Sequence, residues 1–443
     1  MHDNSPTYKS GHNGHCYPEC VPLRAFAEFA EINPQTSFAG KVSKGELVSF
    51  IPMGDVTESG QWVGRQARLI SSLSAGFTCF QDEDILIAKI TPCLENGKGA
   101  HVNNLTNGFG FGSTEFHILR ARPGNLPRFI FHITQSRRFR QAAEVQMVGS
   151  AGQKRVPSKF FKEFSIPVFS YEEQLSISAV LDTLDTVIHR TQSVIEKLKQ
   201  IKQGLLHDLL TRGIDENGKL RPPVEEAPHL YKESELGWMP KEWACKSFGE
   251  LCESSAFGPR FPSDAYDENG SLATLRTTDM DDEGNISLST MPRAAIAPSV
   301  FADHLLRPGD IVISRSGTCG VTGVFVGHEI PVVPGAFLIR FRLRDVRLNR
   351  LYRRYFNSSR GRPYLERLSV GGVQKNIKGS DVLCLLVPAP SPAEAIAIAE
   401  RVESVEHDID INHQLLMKLT LQKSGLMDDL LTGRTRVTPL LTS

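Results

Sequence analysis

A chain whose second half restates its first must fold as two related modules, and this one repeats in register about 221 residues later. Gln153-Lys154 returns as Gln374-Lys375, Pro167 as Pro388, and Ser170-x-x-Glu173 as Ser391-x-x-Glu394. Gly204-Leu205 returns as Gly425-Leu426, and Asp208-Leu209-Leu210-Thr211 as Asp429-Leu430-Leu431-Thr432. Residues 153 to 212 align without a gap. Upstream the offset drifts. Asp84-Ile-Leu-Ile-Ala-Lys89 matches Asp310-Ile-Val-Ile-Ser-Arg315, and Leu126 to Arg140 matches Leu348 to Arg362. Each repeat therefore has a first part with variable loops and a following part of fixed length. Two similar surfaces on one chain suit a two-part target or two copies of a partner.

The fixed part reads as a long helix. Ser170 opens it and Glu173 completes a capping box; Ser391 and Glu394 do the same in the second copy, with Pro392 at the first helical position. Apolar residues follow at alternating spacings of four and three: Leu181, Leu184, Ile188, Thr191, Ile195 and Leu198, matched by Val402, Val405, Ile409, Asn412, Leu416 and Leu419. That spacing is a coiled-coil seam. Gly213 and Gly433 stand where a left-handed residue ends a helix. Both seams are interrupted at equivalent places, Thr191/Asn412 and Lys202/Lys423. Polar core residues cost stability and fix register. The pattern predicts an intramolecular antiparallel pair of helices in which Thr191 and Asn412 approach each other; the alternative is that each helix packs on its own domain. A third stripe on the first helix, Val180, Val187, Val194 and Ile201, predicts an additional buried face.

The variable parts read as mixed α/β domains. Short runs such as Leu47 to Ile51, Ile85 to Ala88 and Phe116 to Leu119 alternate with Gly, Asn and Pro turns, and one helical stretch is expected from Pro127 to Gln146. The expected division is a flexible tail (1–20), a first domain (21–169), helix 1 (170–212), a linker (213–242), a second domain (243–390), helix 2 (391–433) and a C-terminal tail (434–443). Net charge is +0, and the eight cysteines are scattered without a Cys-x-x-Cys pair, which suits a reducing compartment. No apolar run approaches the ~18 residues of a membrane span, so a cytoplasmic protein without membrane partners is expected. Charge is locally uneven. Residues 120–155 hold eight Lys/Arg against one acid, and residues 340–367 hold ten Arg against two acids. Each repeat thus carries a basic cluster at a corresponding place, the pattern expected of phosphate contact.

No catalytic constellation emerges: there is no Gly-x-x-x-x-Gly-Lys-Ser/Thr loop and no Asn/Asp-Pro-Pro-Tyr/Phe motif of an amino-methyltransferase, Pro222-Pro223 being preceded by Arg221. Gly108-Phe-Gly-Phe-Gly112 reads as a close-packed strand or turn rather than a cofactor loop. His12, His15, Cys16 and Cys20 have untypical spacing for zinc, and no metal site is assigned. The polar loops carry more. Lys89, Thr91, Asn96 and Lys98 follow a strand in the first copy, and Arg315, Ser316 and Thr318 hold the matching place in the second. Gln153, Lys154 and Arg155 lie in a Gly-rich loop, as do Gln374, Lys375 and Asn376. Glycine admits a phosphate, Gln and Asn bond adenine edges, and Arg and Lys bond guanine. With Arg138, Arg140, Arg360 and Arg362 from the basic clusters, these are the candidate DNA-binding residues. For each, an ordinary solvated turn is the alternative.

Ile90-Thr91-Pro92-Cys93-x-Glu95-Asn96-Gly97-Lys98, Phe50-Ile51-Pro52-Met53, Pro167 before the capped helix with Glu173-Gln174, and Leu209-Leu210-Thr211-Arg212-Gly213 are familiar together. They make residues ~20 to 433 resemble the specificity subunit of type I restriction-modification systems. The resemblance implies an α+β protein with a pseudo-twofold repeat. Two target recognition domains would each be followed by a conserved helix, and the two helices would pair as an antiparallel coiled coil. Each domain would read half of a bipartite sequence in double-stranded DNA. The helices would dock two modification subunits, which bind S-adenosylmethionine and methylate adenine N6, and restriction (motor-nuclease) subunits would join them. The chain itself would be non-catalytic and hold no cofactor. Two departures stand out: Glu394-Ala395 replaces the Glu-Gln pair, and Arg315-Ser-Gly-Thr replaces Lys89-Ile-Thr-Pro. The two heads are therefore expected to read different half-sites. A two-headed protein scaffold that binds no DNA is the alternative, as is a stand-alone nuclease or methyltransferase. Salt-insensitive behaviour on DNA would favour the scaffold, and turnover by the isolated chain the enzyme.

Overall fold

The computed structural model describes residues 8–10, 16–19, 21–36, 43, 45–73, 76–150, 152–369 and 376–437. His12, His15 and Cys20 of the expected tail lie outside these residues, as do Gln374 and Lys375. The chain forms two compact units, residues 1–192 with 414–443, and residues 193–413. The division runs through both long helices, Tyr171–Thr211 and Pro392–Leu431, so each unit holds one head and a part of each helix.

The first head is built from strands β1 (Ala30–Ile32), β2 (Leu47–Ile51), β3 (Gln66–Leu69), β4 (Thr78–Gln81), β5 (Ile85–Ala88), β6 (Gly99–His101), β7 (Phe109–Gly112) and β8 (Phe116–Ala121). They form two sheets, in the orders β3-β2-β7-β4 and β1-β8-β5-β6. The β2–β7 pair is parallel and the others are antiparallel. All four residues of β5 are buried, as its unbroken apolar run requires. The alternating glycines lie in β7, as a close-packed strand. A Cβ on Gly110 would stand 2.2 Å from the Phe80 ring, so the glycine makes room for that buried side chain.

The helical stretch expected from Pro127 to Gln146 is two helices, α1 (Pro127–Gln135) and α2 (Arg137–Val145). Ser136 leaves helical geometry between them, and its Oγ accepts from Phe139 N at 3.3 Å. A serine favours an N-cap over a helix interior for this reason. The core of this unit joins Phe26, Phe129, Phe139 and Phe161 to Ile177 and Leu181 of α3 (Tyr171–Thr211) and to Met427, Leu430 and Leu431 of the second long helix.

The second head repeats the plan. Its strands are β9 (Cys252–Phe257), β10 (Leu272–Leu275), β11 (Arg293–Ala294), β12 (Ile311–Ser314), β13 (Thr322–Val324), β14 (Val332–Pro334) and β15 (Leu338–Leu343), followed by α4 (Asn349–Asn357), α5 (Arg362–Arg367) and α6 (Pro392–Leu431). The sheet β9-β15-β12-β13 matches β1-β8-β5-β6 position for position, and β10 pairs β14 in parallel as β2 pairs β7.

The seam residues of both helices are buried or half-buried, while Val187, Val194 and Ile201 are 38 to 48% exposed. Of the additional face expected to be buried on α3, only Val180 packs on the core, half-buried, and the other three residues are exposed. Within each unit the two helices run antiparallel. Lys423 pairs with Asp185 in the first unit and Lys202 lies 3.9 Å from Glu406 in the second, at one common offset. Thr191 and Asn412, the polar residues of the two seams, fall in different units. Each polar residue bonds its own helix instead: Thr191 Oγ1 donates to Val187 O and Asn412 Nδ2 to Asp408 O. The first capping box forms fully between Ser170 and Glu173. In the second, Glu394 N bonds Ser391 Oγ, but the Glu394 carboxylate turns to Arg221 (2.5 Å) and Ile214 N (2.9 Å). Gly213 beside it has φ +61°, and a Cβ there would stand 2.3 Å from Glu394 Oε1.

A cluster of five ionisable groups fastens each head to the helices. In the first unit Arg128 Nε (2.7 Å) and His132 Nε2 (2.8 Å) both meet Asp182 Oδ1, and Lys423 meets Asp185. In the second, Arg350 (3.1 Å) and Arg354 (3.3 Å) meet Glu403, Arg354 also meets Glu406 at 2.6 Å, and Lys202 lies near Glu406. All five positions correspond between the repeats. His132, Asp182 and Asp185 could together ligate a metal ion by position. Arg128 and Lys423 already supply the countercharge that an ion would bring.

Candidate nucleic-acid interface

In each head, two loops far apart in sequence meet at the end of the central buried strand. The chain leaves β5 at Lys89, whose carbonyl accepts from Val156 N at 2.9 Å, and Thr91 N donates to Lys154 O at 3.0 Å. The chain leaves β12 at Arg315, whose carbonyl accepts from Ile377 N at 3.0 Å, and Ser316 pairs with Asn376 as a β-bridge. The same backbone joint thus brings together the polar loops that sequence reading selected separately.

The side chains differ in availability. Gln153 and Lys154 are exposed on the first head, and Lys89 is half-buried. Asn96 is exposed and donates to Glu58 (2.8 Å), Thr91 donates to Glu95 (2.7 Å), and Lys98 Nζ reaches Met53 O (3.5 Å). On the second head Thr318 is exposed and Ser316 half-buried. Arg315 lies over the Phe257 ring, 4.8 Å from its centroid, and its Nε donates to Asn376 Oδ1 at 2.9 Å. This guanidinium is aimed by a ring and an amide while keeping its other donors.

Other candidates are committed elsewhere. Arg140 is buried and donates to Leu94 O (3.0 Å) and Gly97 O (3.1 Å), so it shapes the Thr91–Lys98 loop from behind. Burial pulls its guanidinium below the ordinary arginine range. Arg138 pairs with Asp428 at 2.6 Å, a contact of head with helix. Arg155 forms two bonds with Glu115 (2.9 and 2.8 Å), and the first of these effects, its hydrogen bonding, holds the Glu115 carboxyl below the usual range. Arg360 donates to Leu236 O at 2.7 Å, and Arg362 lies 3.4 Å from Glu366. Part of each basic cluster is thus spent on Asp84, Asp182, Asp310, Glu403 and Glu406, while Arg122, Arg137 and Lys154 of the first and Arg344, Arg347 and Arg367 of the second are exposed. Counting charge along the sequence missed this because the neutralising acids lie far away in the chain. It also passed over Arg65 and Arg68, which sit outside both clusters; their signal is an Arg-x-x-Arg step next to Trp62.

The chain matches the family described as type I restriction modification DNA specificity domain twice, over residues 26–200 and 240–421. It belongs to that family. Over 198 residues it is 33% identical to the type I restriction enzyme EcoAI specificity subunit of Escherichia coli, covering 43% of this chain and 33% of the relative. The EcoEI specificity subunit of the same organism is 31% identical over a stretch of the same extent. The matched stretch thus spans about a third of these two relatives. The MjaVIII specificity subunit of Methanocaldococcus jannaschii is 26% identical over 65% of both chains. Among solved structures, a chain from a study of complex assembly and conformational transition of the type I R-M system superposes with a TM-score of 0.55 at 17% identity, covering 94% of this chain and 99% of that one. The type I restriction-modification S subunit from M. genitalium gives 0.54 at 14% identity, covering 97% and 98%. These two share the fold.

Proposed function

We propose that the chain is the non-catalytic DNA-recognition subunit of a type I restriction-modification complex, acting in the cytoplasm. One half of a bipartite target is read by the joined loops around Lys89 and Gln153, the other by those around Arg315 and Asn376. Modification subunits carrying S-adenosylmethionine dock on the long helices and methylate adenine N6, and restriction subunits join them. The observation that carries this reading is the loop joint, built on the same strand in both heads but furnished with different side chains. A shared scaffold with different polar tips is what two half-sites of different sequence require. The exposed stripe of Val187, Val194 and Ile201 supports docking on the helices, since apolar side chains at heptad spacing favour a helical partner.

Methylome sequencing of a host expressing the chain with its modification subunits tests the reading. The expected result is adenine methylation at one two-part motif. Gln153→Ala should relax one half of that motif and Arg315→Ala the other. Equal weakening at every sequence by both variants would mean that these loops touch only phosphates, and unmethylated DNA would refute the reading.

A further inference from the structure

In the first head two exposed arginines are held over aromatic rings, whereas Arg137 is exposed and Arg122, also exposed, donates to Ala27 O at 3.0 Å. Arg120, Arg128, Arg138 and Arg155 are each held by a carboxylate at 2.6 to 2.8 Å, and Arg140 is buried on two carbonyls. Arg65 and Arg68 are exposed and pair with no carboxylate among the described residues. Each is nevertheless fixed in place. Arg65 lies over the Trp62 ring at 4.5 Å from its centroid, and Arg68 over the Phe50 ring at 3.8 Å. Stacking holds a guanidinium by its face and leaves its in-plane N–H donors directed outward. The loss of side-chain freedom that weakens exposed arginine contacts is thereby partly met before any ligand arrives.

The surroundings match these two cations. Arg68 belongs to β3, the edge strand of its sheet, whose four residues are all exposed. Phe77, 39% exposed, stands edge-on to the Phe50 ring that Arg68 covers, 5.1 Å between centroids. Two acids stand at the rim with their charge uncancelled: Asp55, which accepts from Gln66 Nε2 at 2.9 Å, and Glu46, which accepts from Ser43 N at 2.6 Å. Two cations held over aromatic rings beside the half-exposed Phe77 ring fit a strand of phosphates and sugars, where charge faces phosphate and carbon faces deoxyribose.

We infer that Arg65 and Arg68 form a DNA-backbone contact on the first head, in addition to the loops that read bases. This rests on the DNA-recognition reading above. The contact adds affinity without sequence preference, because phosphates are alike at every base pair. The plain alternative is that the arginines only guard an edge strand against pairing with other chains.

The test measures binding of the full chain with its modification subunits to two duplexes, one with the methylated motif and one without, across a range of salt concentrations. In Arg65→Gln/Arg68→Gln, the slope of log affinity against log salt should fall by about 2, at roughly 0.9 per phosphate. Affinity for both duplexes should drop by the same factor, with the methylated motif unchanged. Arg65→Gln alone should lower the slope by about 1, which keeps the test open if the double variant folds poorly. Arg65→Lys/Arg68→Lys should keep the slope near wild type. An unchanged slope in the Gln variants, with or without aggregation, overturns the inference and leaves the edge-guard role. A loss confined to the motif duplex overturns it in favour of base reading. Failure of the underlying reading looks different: the unmodified complex would bind neither duplex in a salt-dependent way.

Discussion

His101, His117 and His132 all lie within the first unit, and burial is the leading cause that holds each below the ordinary histidine value. His132 is fully buried, with Nε2 on Asp182 and no partner for Nδ1 among the described residues, so a second ring proton would have nowhere to bond there. His117 bonds Val156 O at 2.8 Å. The sign follows from the direction of the shifts. Above pH of about 6.5, the unperturbed value, folded and unfolded rings are both neutral and pH has no effect. Below it the unfolded chain takes up protons that the folded unit refuses. Stability then falls by up to about 1.4 kcal/mol per pH unit per ring until the folded pKa is passed. Denaturant unfolding of the chain between pH 7.5 and 5.5 should show the first unit weakening with acid, and His117→Gln should make that dependence shallower. A pH-independent midpoint would mean that these rings protonate as freely in the fold as in water.

At the scale of elements, the most informative feature is the five-residue joint between each head and the helices. It explains why Lys202 and Lys423 interrupt both seams. Each is the cation that one helix sends to the acids of the other, and the seam gives up an apolar contact to carry it. Asp185 and Lys423 are both mostly buried, at 15 and 18% side-chain exposure. A double-mutant cycle with Asp185→Asn and Lys423→Met should therefore return a coupling of about 1–2 kcal/mol, larger than a surface pair gives. A coupling near zero would show that Arg128 compensates Asp185 without the lysine. The joint also explains the basic clusters of the sequence. Arg128, Arg350 and Arg354 are basic because α1 and α4 must meet acidic helix faces.

For the whole molecule, the compact units do not follow the order of the chain. The first unit takes residues 414–443 from the far end, and Met427, Leu430, Leu431 and Val437 lie in its core. Removing residues 414–443 should thus injure the N-terminal head rather than the head that precedes the cut. Hydrogen exchange on the truncated chain should show protection lost around Phe129, Phe139 and Ile177 and kept around Phe248, Ile313 and Phe341. The reverse pattern would mean that each head is stabilised by its own following helix alone.

Much of this was legible in the sequence because it is periodic or local. The repeat, the two long helices, the seam, the glycine helix ends and the strand that becomes β5 all rest on spacing, capping and turn chemistry, which act between near neighbours. The sequence also marked the polar loops as candidates. Ser136, which split one expected helix into two by capping the second, was a local signal of the same kind that went unread. Two things were decided only by tertiary structure. Arg138, Arg140 and Arg155 were withdrawn from the candidate interface by partners 290, 46 and 40 residues away. Arg65 and Arg68 stood out only once the aromatic rings beneath them were seen. A sequence shows which charges a chain carries, but a charge is cancelled by whatever the fold brings within a few ångströms, and that distance is set by long-range packing.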